Sequence, residues 1–102
     1  MTESELEELK KIIAPIAEKR GVDKVYLFGS RARGDNRPDS DYDFFVHKGK
    51  LRDLFALGGL YCDLEDALGM QVDIVLNGIP EESRFMQEVK NDEVLLYDNT
   101  AR

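Results

Sequence analysis

Gly29-Ser30-Arg31-Ala32-Arg33-Gly34 is the stretch that organises the fold, because it separates two short runs with the composition of strands. The run before it is Val25-Tyr26-Leu27-Phe28, and the run after it is Asp41-Tyr42-Asp43-Phe44-Phe45-Val46. Both runs contain β-branched and aromatic residues, and Gly29 ends the first of them. The connection 29–40 has no long apolar stripe of a crossover helix, so a parallel arrangement is not required. The two strands are therefore expected to lie in a mixed sheet.

A helix is predicted before the first strand. Its apolar residues recur at helical spacing and are Leu6, Leu9, Ile13 and Ile16. Ser4, followed three residues later by Glu7, has the pattern of a capping box, and Gly21 offers a stop. Pro15 should kink or shorten this helix, because its ring removes a backbone donor and crowds the preceding turn.

A second long helix is predicted over Lys50–Leu68, with Gly69 as its C-cap. The stripe expected to face the core consists of Leu54, Leu57, Tyr61, Leu64 and Leu68. Cys62, in the same helix, is interpreted as a small apolar residue that fills the core. The adjacent Gly58 and Gly59 cost about 1 kcal/mol each relative to alanine, so they mark either close packing or a break in the helix.

The rest of the chain continues the alternation of strands and helices. It contains a strand over Val72–Leu76, a helix opened by Pro80 with Phe85 and Val89 facing inward, and a strand over Val94–Tyr97. Strands interleaved with helices predict a sheet covered by helices. A chain of 102 residues has room for one domain. The predicted fold class is α+β: a single domain over residues 1–102 with a short mixed β-sheet covered by helices.

Composition narrows the function classes. Fourteen basic and 21 acidic side chains give a net charge of −7, which repels polynucleotide phosphates, so no direct nucleic-acid binding is expected. No apolar run reaches the roughly 18 residues of a membrane span. The single cysteine cannot form an internal disulfide. We therefore expect a cytoplasmic protein that contacts neither a membrane nor a nucleic acid directly.

Three aspartates predict a metal site. Asp41 and Asp43 are two residues apart, which in a strand places both carboxylates on one face, roughly 7 Å apart along the chain. Two like charges on one face repel each other unless a cation lies between them. Asp73 lies inside another apolar strand, and if the two strands are neighbours, three carboxylates converge. Such a set suits Mg²⁺ and can hold two metal ions about 3.5–4 Å apart, as phosphoryl-type displacement requires. The alternative is an exposed edge strand with solvated aspartates.

Gly29 and Ser30 predict a phosphate-binding turn directly after the first strand. Glycine allows the backbone to approach a phosphate closely, and a turn that leads into a helix presents amide donors to an anion. The serine hydroxyl adds a further donor. Phosphate donors and metal ligands would then lie at neighbouring strand ends.

The roles of the nearby basic residues stay open. Arg31 and Arg33 either contact phosphates bidentately or pair with a neighbouring acid such as Asp35 or Asp39. His47 follows the second strand, where a general-base role is conceivable. We interpret it as a polar residue at the end of a strand.

This combination of motifs resembles a known family. The run Gly29 to Gly34, followed six residues later by Asp41-Tyr42-Asp43, is similar to the signature of the DNA polymerase beta-like nucleotidyltransferase superfamily. More narrowly, it resembles the minimal nucleotidyltransferases (MNT) that are paired with HEPN-domain toxins in bacteria and archaea. The similarity covers nearly the whole chain, from the first helix through Tyr97. Phe44 stands where a leucine is more usual, which is a change in the core.

The resemblance implies roles for the motif residues. In that family the glycine and the serine hold the triphosphate, the paired aspartates bind two magnesium ions, and a third aspartate completes the site. Gly29 and Ser30 would accordingly bind the nucleoside triphosphate. Asp41, Asp43 and Asp73 would be the catalytic residues and would ligate two Mg²⁺ ions.

The expected function is transfer of AMP from ATP to a hydroxyl group, with release of pyrophosphate. The resemblance implies that the acceptor is a tyrosine of a HEPN toxin, which adenylylation silences, so that this chain acts as an antitoxin. A chain of this length has no room for an acceptor-binding domain, and the acceptor should therefore arrive on a partner. The main alternative is a non-catalytic antitoxin that neutralises the toxin by complex formation. A weaker one is a stand-alone transferase for a small molecule.

Overall fold

The computed structural model describes residues 1–78 and 82–99 of the chain. Within these ranges helices and strands alternate. The elements, in chain order, are α1 (Glu3–Arg20), β1 (Lys24–Phe28), α2 (Ser30–Arg33), β2 (Tyr42–His47), α3 (Leu54–Leu68), β3 (Val72–Leu76), α4 (Arg84–Asp92) and β4 (Val94–Asp98). None of the helices in the described ranges combines the length and the apolar composition that a bilayer span requires.

The strands of the described residues form one mixed sheet in the order β3-β2-β1-β4. β1 is antiparallel to both β2 and β4, whereas β2 and β3 are parallel. The parallel pair is joined through α3, because parallel strands need a long crossover connection. The predicted α+β fold with a short mixed sheet is confirmed.

The two faces of the sheet are covered differently. α1 and α3 pack against one face, and the core there includes Leu27 and Phe44, whose side chains are fully buried. α4 covers the other face through Met86 and Val89, which cluster with Phe45. Because side chains alternate along a strand, the residues next to Leu27 and Phe44 point toward the α4 side. The face that carries the Asp43 side chain is therefore covered by one short helix.

α1 begins and continues differently from the prediction. The capping box is formed by Thr2 and Glu5, not by Ser4 and Glu7: the Glu5 amide donates to Thr2 Oγ1 at 3.1 Å, and the Thr2 amide donates to Glu5 Oε1 at 3.3 Å. Both pairs have the same spacing, and the structure uses the earlier one. The helix runs through Pro15 without being shortened, because buried residues on either side of Pro15 anchor it to the core.

The start of α3 was also predicted too early. Asp53 Oδ1 accepts a hydrogen bond from the Ala56 amide at 2.9 Å, so the helix begins at Leu54 and not at Lys50. Leu54 is 82% exposed, and its predicted place in the core is wrong. Gly69 is the C-cap, as predicted, with a φ of 68°. Cys62 is exposed on this helix and does not fill the core.

α4 begins at Arg84, where Ser83 Oγ accepts a hydrogen bond from the Met86 amide at 3.1 Å. Pro80, predicted to open this helix, lies outside the described residues. Val89 is buried as predicted, but its partner on the inward face is Met86, and Phe85 is 40% exposed. Residues three apart and residues four apart on a helix both share a face, so spacing alone does not decide whether Met86 or Phe85 accompanies Val89. Met86 and Val89 pack on Phe45, which leaves the Phe85 side chain partly exposed at the side of α4.

The two adjacent glycines of α3 have different surroundings. The helix continues through both, so they do not break it. A Cβ on Gly59 would lie 2.5 Å from Nη1 of Arg20, whose Nε donates to Asp63 Oδ2 at 2.8 Å. A Cβ on Gly58 would have no described atom within 4 Å. Gly59 therefore permits close packing of α1 on α3, and Gly58 does not serve this purpose.

Gly58→Ala is expected to raise the free energy of unfolding by about 1 kcal/mol, because alanine is the better helix former and the added methyl group meets no neighbour. Gly59→Ala gains the same propensity but displaces the Arg20 guanidinium, so its gain should be smaller or reversed. Urea denaturation of both variants and the parent measures the difference. Equal stabilisation by the two substitutions would contradict the packing role of Gly59.

Candidate active site

The turn after β1 is built around Gly29. Its φ of 76° and ψ of −158° lie in a region that side-chain-bearing residues rarely adopt. A Cβ at this position would also overlap Oδ2 of Asp43. Glycine is therefore required for two reasons, and its presence brings the backbone of the turn against the Asp43 carboxylate.

α2 follows this turn as a single helical turn. The Gly29 carbonyl accepts a hydrogen bond from the Arg33 amide at 3.0 Å, and the Ser30 carbonyl accepts one from the Gly34 amide at 2.8 Å. Gly34 then ends the element with a φ of 86°. The amides of residues 30–32 precede the first intrahelical hydrogen bond, so helix geometry leaves them as donors. Ser30 is half-buried beside them.

The sheet register brings two of the predicted metal ligands together. Asp43 on β2 is paired with Asp73 on β3, and on its other side it is paired with Phe28 at the end of β1. Asp41 immediately precedes β2. Asp41 and Asp73 are exposed, whereas Asp43 is half-buried. Asp43 is therefore the central carboxylate of the group.

The electrostatic surroundings of Asp43 reflect this position. Burial raises the pKa of the Asp43 carboxyl above its ordinary value of 3.8, and the carboxylates of Asp73 and Asp41 raise it further. The Arg33 guanidinium lowers this pKa, but the upward influences dominate. An uncompensated negative charge is thus costly at this position, and a cation would relieve the cost.

The three acids are neighbours, but in the described residues no group of three or more acidic, histidine or cysteine side chains closes around a common metal position. Mg²⁺ commonly takes only one or two carboxylates and completes its shell with water and substrate phosphates. The residues present fit this mode of binding, because the Gly29 turn lies directly beside Asp43. Asp41, Asp43 and Asp73 are the residues that could hold the metal.

Arg33, the last residue of α2, forms two ion pairs. Its Nε lies 3.0 Å from Asp35 Oδ2, and its Nη1 lies 2.7 Å from Asp92 Oδ2 at the end of α4. The pairing with Asp35 is the structural alternative that the sequence predicted. Asp92 was missed, and no local pattern could have indicated it, because it lies 59 residues from Arg33 in the chain.

Arg31 is used to hold the loop before β2. Its Nε and Nη2 donate to the Ser40 carbonyl at 3.0 and 2.8 Å, and Nη2 also donates to the Pro38 carbonyl at 3.2 Å. The guanidinium lies 4.1 Å from the centre of the Tyr42 ring. These contacts favour the structural alternative for Arg31 over a phosphate contact, although its partners are carbonyl groups and not the Asp35 or Asp39 carboxylates.

His47 lies at the opposite end of β2 from Asp43. Its ring is 5.8 Å from the Tyr26 ring and 5.4 Å from the Phe45 ring, centre to centre. The structure therefore places His47 in an aromatic cluster away from the three aspartates, in agreement with its interpretation as a polar residue at a strand end.

A cavity of 590 Å³ lies between the start of α1 and the α2 region. Glu5, Ile12, Arg31 and Tyr42 are among the residues that line it, and the three aspartates are not. Tyr42 and Asp43 point to opposite faces of β2, so this cavity is separate from the carboxylates. The carboxylates therefore lie outside this cavity.

Asp43→Asn should raise the midpoint of thermal unfolding at neutral pH without divalent metal. The pKa of Asp43 is higher in the folded protein than in the unfolded chain, so the folded state binds the proton more tightly. The carboxylate therefore costs stability above its folded pKa, and the cost disappears as the pH falls through that pKa toward 3.8. The advantage of the variant should shrink below that pH.

Glu88→Gln is the matched control for this measurement. It removes one exposed carboxylate from the middle of α4, away from both helix ends, and therefore tests the effect of net charge. A gain in the unfolding midpoint as large as that of Asp43→Asn would contradict a local cost at Asp43.

The comparisons with known proteins agree with this geometry. Residues 10–102 match the family described as Polymerase beta, Nucleotidyltransferase. A Methanocaldococcus jannaschii protein named as a candidate protein adenylyltransferase is 39% identical over 70 residues, which cover 69% of this chain and 75% of that protein. The protein adenylyltransferase MntA of Thermococcus cleftensis is 35% identical over 75 residues, which cover 70% of this chain and 76% of that protein.

A solved structure shares the fold of this chain over most of the chain's length. The crystal structure of a toxin–antitoxin pair with AMP-PNP superposes with a TM-score of 0.72 at 25% identity, and the match covers 90% of this chain and 75% of the other. The motif over residues 29–43, the sheet register and the family match agree with one another. The chain belongs to the polymerase beta nucleotidyltransferase family, as its sequence signature predicted.

Proposed function

We propose that this protein transfers AMP from ATP to a hydroxyl group of a partner protein and releases pyrophosphate. The observation that carries the proposal is the contact of the Gly29 turn with Asp43, which is in register with Asp73. A triphosphate bound at this turn would lie directly beside the acids suited to a metal. Protein adenylyltransferase is also the activity in the names of both archaeal relatives. The ATP analogue in the toxin–antitoxin structure supports ATP as the donor.

The roles of the residues follow from their positions. Gly29, Ser30 and the first amides of α2 bind the phosphates, and the positive charge of Arg33 lies close to the same site. Asp41, Asp43 and Asp73 would hold two Mg²⁺ ions. When bound, Mg²⁺ stabilises the charge that develops on the attacking and leaving oxygens. Catalysis on this model consists of positioning and charge stabilisation.

The proton of the acceptor needs a base on this chain. Asp73 is exposed and is paired with Asp43, and we assign the role of this base to Asp73. The acceptor oxygen forms a bond to the α-phosphorus while the bond from that phosphorus to the bridging oxygen breaks. The hydroxyl proton passes to Asp73, and pyrophosphate leaves with the electron pair of the broken bond.

We propose further that the acceptor is a tyrosine of a HEPN-domain toxin and that this chain is the matching antitoxin, acting in the cytoplasm as one nucleotidyltransferase domain over residues 1–102. The family resemblance and the toxin–antitoxin structure support this partner. Asp41 and Asp73 are exposed, which suits an acceptor presented by another macromolecule. A small-molecule acceptor would be better served by an enclosed pocket.

Magnesium and ATP together should stabilise the fold more than either does alone, because the triphosphate supplies ligands to a metal that the carboxylates attract. A ligand at 100 times its dissociation constant adds about 2.7 kcal/mol to the free energy of unfolding. Thermal unfolding with each component, with both and with neither measures the effect. Additive or absent shifts would count against a joint metal–triphosphate site.

Ser30→Ala tests the turn in the same measurement. It should keep the parent's midpoint without ligand and show a smaller rise with magnesium and ATP. Leu27→Ala is the comparison for a structural loss, since Leu27 is fully buried and its truncation costs about 2–5 kcal/mol. If Ser30→Ala unfolds as readily as Leu27→Ala, the serine is structural and the phosphate role is wrong.

Asp41→Asn combined with Asp43→Asn should abolish transfer of labelled AMP to a purified HEPN-domain partner, while the chain stays folded and still binds the partner. Asparagine keeps the shape of the side chain but removes the charges that hold the metal ions. Transfer is measured on the isolated complex, and rescue from toxicity is measured in cells.

The non-catalytic alternative makes the opposite forecast for both readouts. A purely binding antitoxin transfers no label in its unmodified form, and its double variant rescues fully. If the double variant rescues as well as the parent, neutralisation does not depend on the reaction.

A further inference from the structure

Phe85 is a large apolar residue that α4 holds at the protein surface. Its ring meets the Phe28 ring edge-to-face, with centres 5.9 Å apart and planes at 88°. The side chain is nevertheless 40% exposed. One part of the ring is therefore packed within the chain, and the rest is available to another molecule.

The partner of Phe85 places it beside the candidate active site. Phe28 is the last residue of β1, and it is paired with Asp43 in the antiparallel register. Directly opposed residues of neighbouring strands point to the same face of the sheet, with Cβ atoms about 5 Å apart. Phe85 is consequently separated from Asp43 by one side chain.

α4 holds Phe85 on a fixed element. Met86 and Val89 are buried against the sheet, and Asp92 at the end of the helix forms its 2.7 Å ion pair with Arg33. α4 is thus tied to the sheet along its length and to α2 at its end. A side chain that contacts a substrate gains precision from such a rigid support.

The chemistry around Phe85 favours the apolar face of a phenol ring as its ligand over a nucleotide base. Phe28, the ring against which Phe85 packs, has no hydrogen-bonding group and so supplies no partner for the polar edge of a nucleotide base. Aromatic pairs gain from edge or offset contacts, which leave a substituent on the ring free. A phenol ring seated there keeps its hydroxyl group available to the aspartates.

We propose that Phe85, supported by Phe28, is the contact residue that receives the ring of the acceptor tyrosine and directs its hydroxyl group toward Asp73 and Asp43. This inference rests on the proposed function, because it assigns the acceptor side of that same site. It gives Phe85 a role in acceptor binding and none in nucleotide binding.

A matched control exists on the same chain. Phe55 is 92% exposed at the start of α3, and the loop before it leaves β2 at the end opposite Asp43. Phe55→Ala therefore removes the same aromatic group from a surface remote from the carboxylates. Phe85→Tyr provides the conservative variant, since it keeps the ring and its contact with Phe28.

The experiment measures transfer of labelled AMP from ATP to a purified HEPN-domain partner as the partner concentration is varied, with the label on the partner resolved from this chain by mass. Phe85→Ala should lower transfer at limiting partner by about tenfold, since a buried phenyl ring contributes about that factor. The loss should appear in the dependence on partner concentration. Binding of magnesium and ATP should be unchanged. Phe85→Tyr and Phe55→Ala should transfer as the parent does.

Each other outcome overturns the inference. Weaker ATP binding by Phe85→Ala would assign the ring to the base of the nucleotide. Equal losses in Phe85→Ala and Phe55→Ala would indicate general docking, and parental transfer by Phe85→Ala would remove Phe85 from the site, while the proposed function stands in each of these cases. Failure of Phe85→Tyr to transfer would show that the ring contact is not what matters. If the unmodified chain transfers no label, the proposed function fails and the inference fails with it.

Discussion

The close approach of the Gly29 backbone to the Asp43 carboxylate is the constraint on which the rest of the site depends. This approach requires a residue with a positive φ and no Cβ directly after β1. It also requires Asp43 to lie opposite the end of that strand. The antiparallel register of β1 and β2 satisfies the second condition, and the parallel pairing of β2 with β3 adds Asp73 on the far side. Two kinds of strand pairing thus meet at one carboxylate. A sheet with only one kind would require different connections around β2.

The same arrangement accumulates negative charge at a half-buried position. Burial and two neighbouring carboxylates raise the pKa of Asp43, and Arg33 offsets only part of this. Arg33 is held in place by Asp35 and by Asp92, so the ion pair that ties α4 to α2 also fixes the cation nearest to the site. The charge of Asp43 therefore carries a cost in stability, which is a common feature of functional positions.

The sequence predicted the positions of the motif residues better than the boundaries of the helices. Asp41 and Asp43 are two residues apart, so their shared face followed from strand periodicity. The proximity of Asp73 to Asp43 depends on the pairing of β2 with β3, which the sequence offered only as a condition. The helix starts did not follow, because Thr2 and Ser4 offer the same capping pattern and only packing decides between them. Phe85 and Met86 are adjacent, and the rotation of α4 about its own axis decides which of the two side chains is buried. The partnership of Arg33 with Asp92 depends on tertiary structure, which no local pattern encodes.

The distribution of basic groups explains why a divalent cation belongs in any account of nucleotide binding here. The chain carries a net charge of −7. Asp43 contacts the turn proposed for the phosphates, and Asp73 is paired with Asp43 in the sheet. The Arg31 guanidinium donates hydrogen bonds to carbonyl groups, and the Arg33 guanidinium forms ion pairs with two aspartates. A triphosphate approaching this acidic surface without a cation would meet electrostatic repulsion. On the proposed function, magnesium carried with the nucleotide would lower this repulsion, and the acidic site and the anionic substrate would become complementary in its presence.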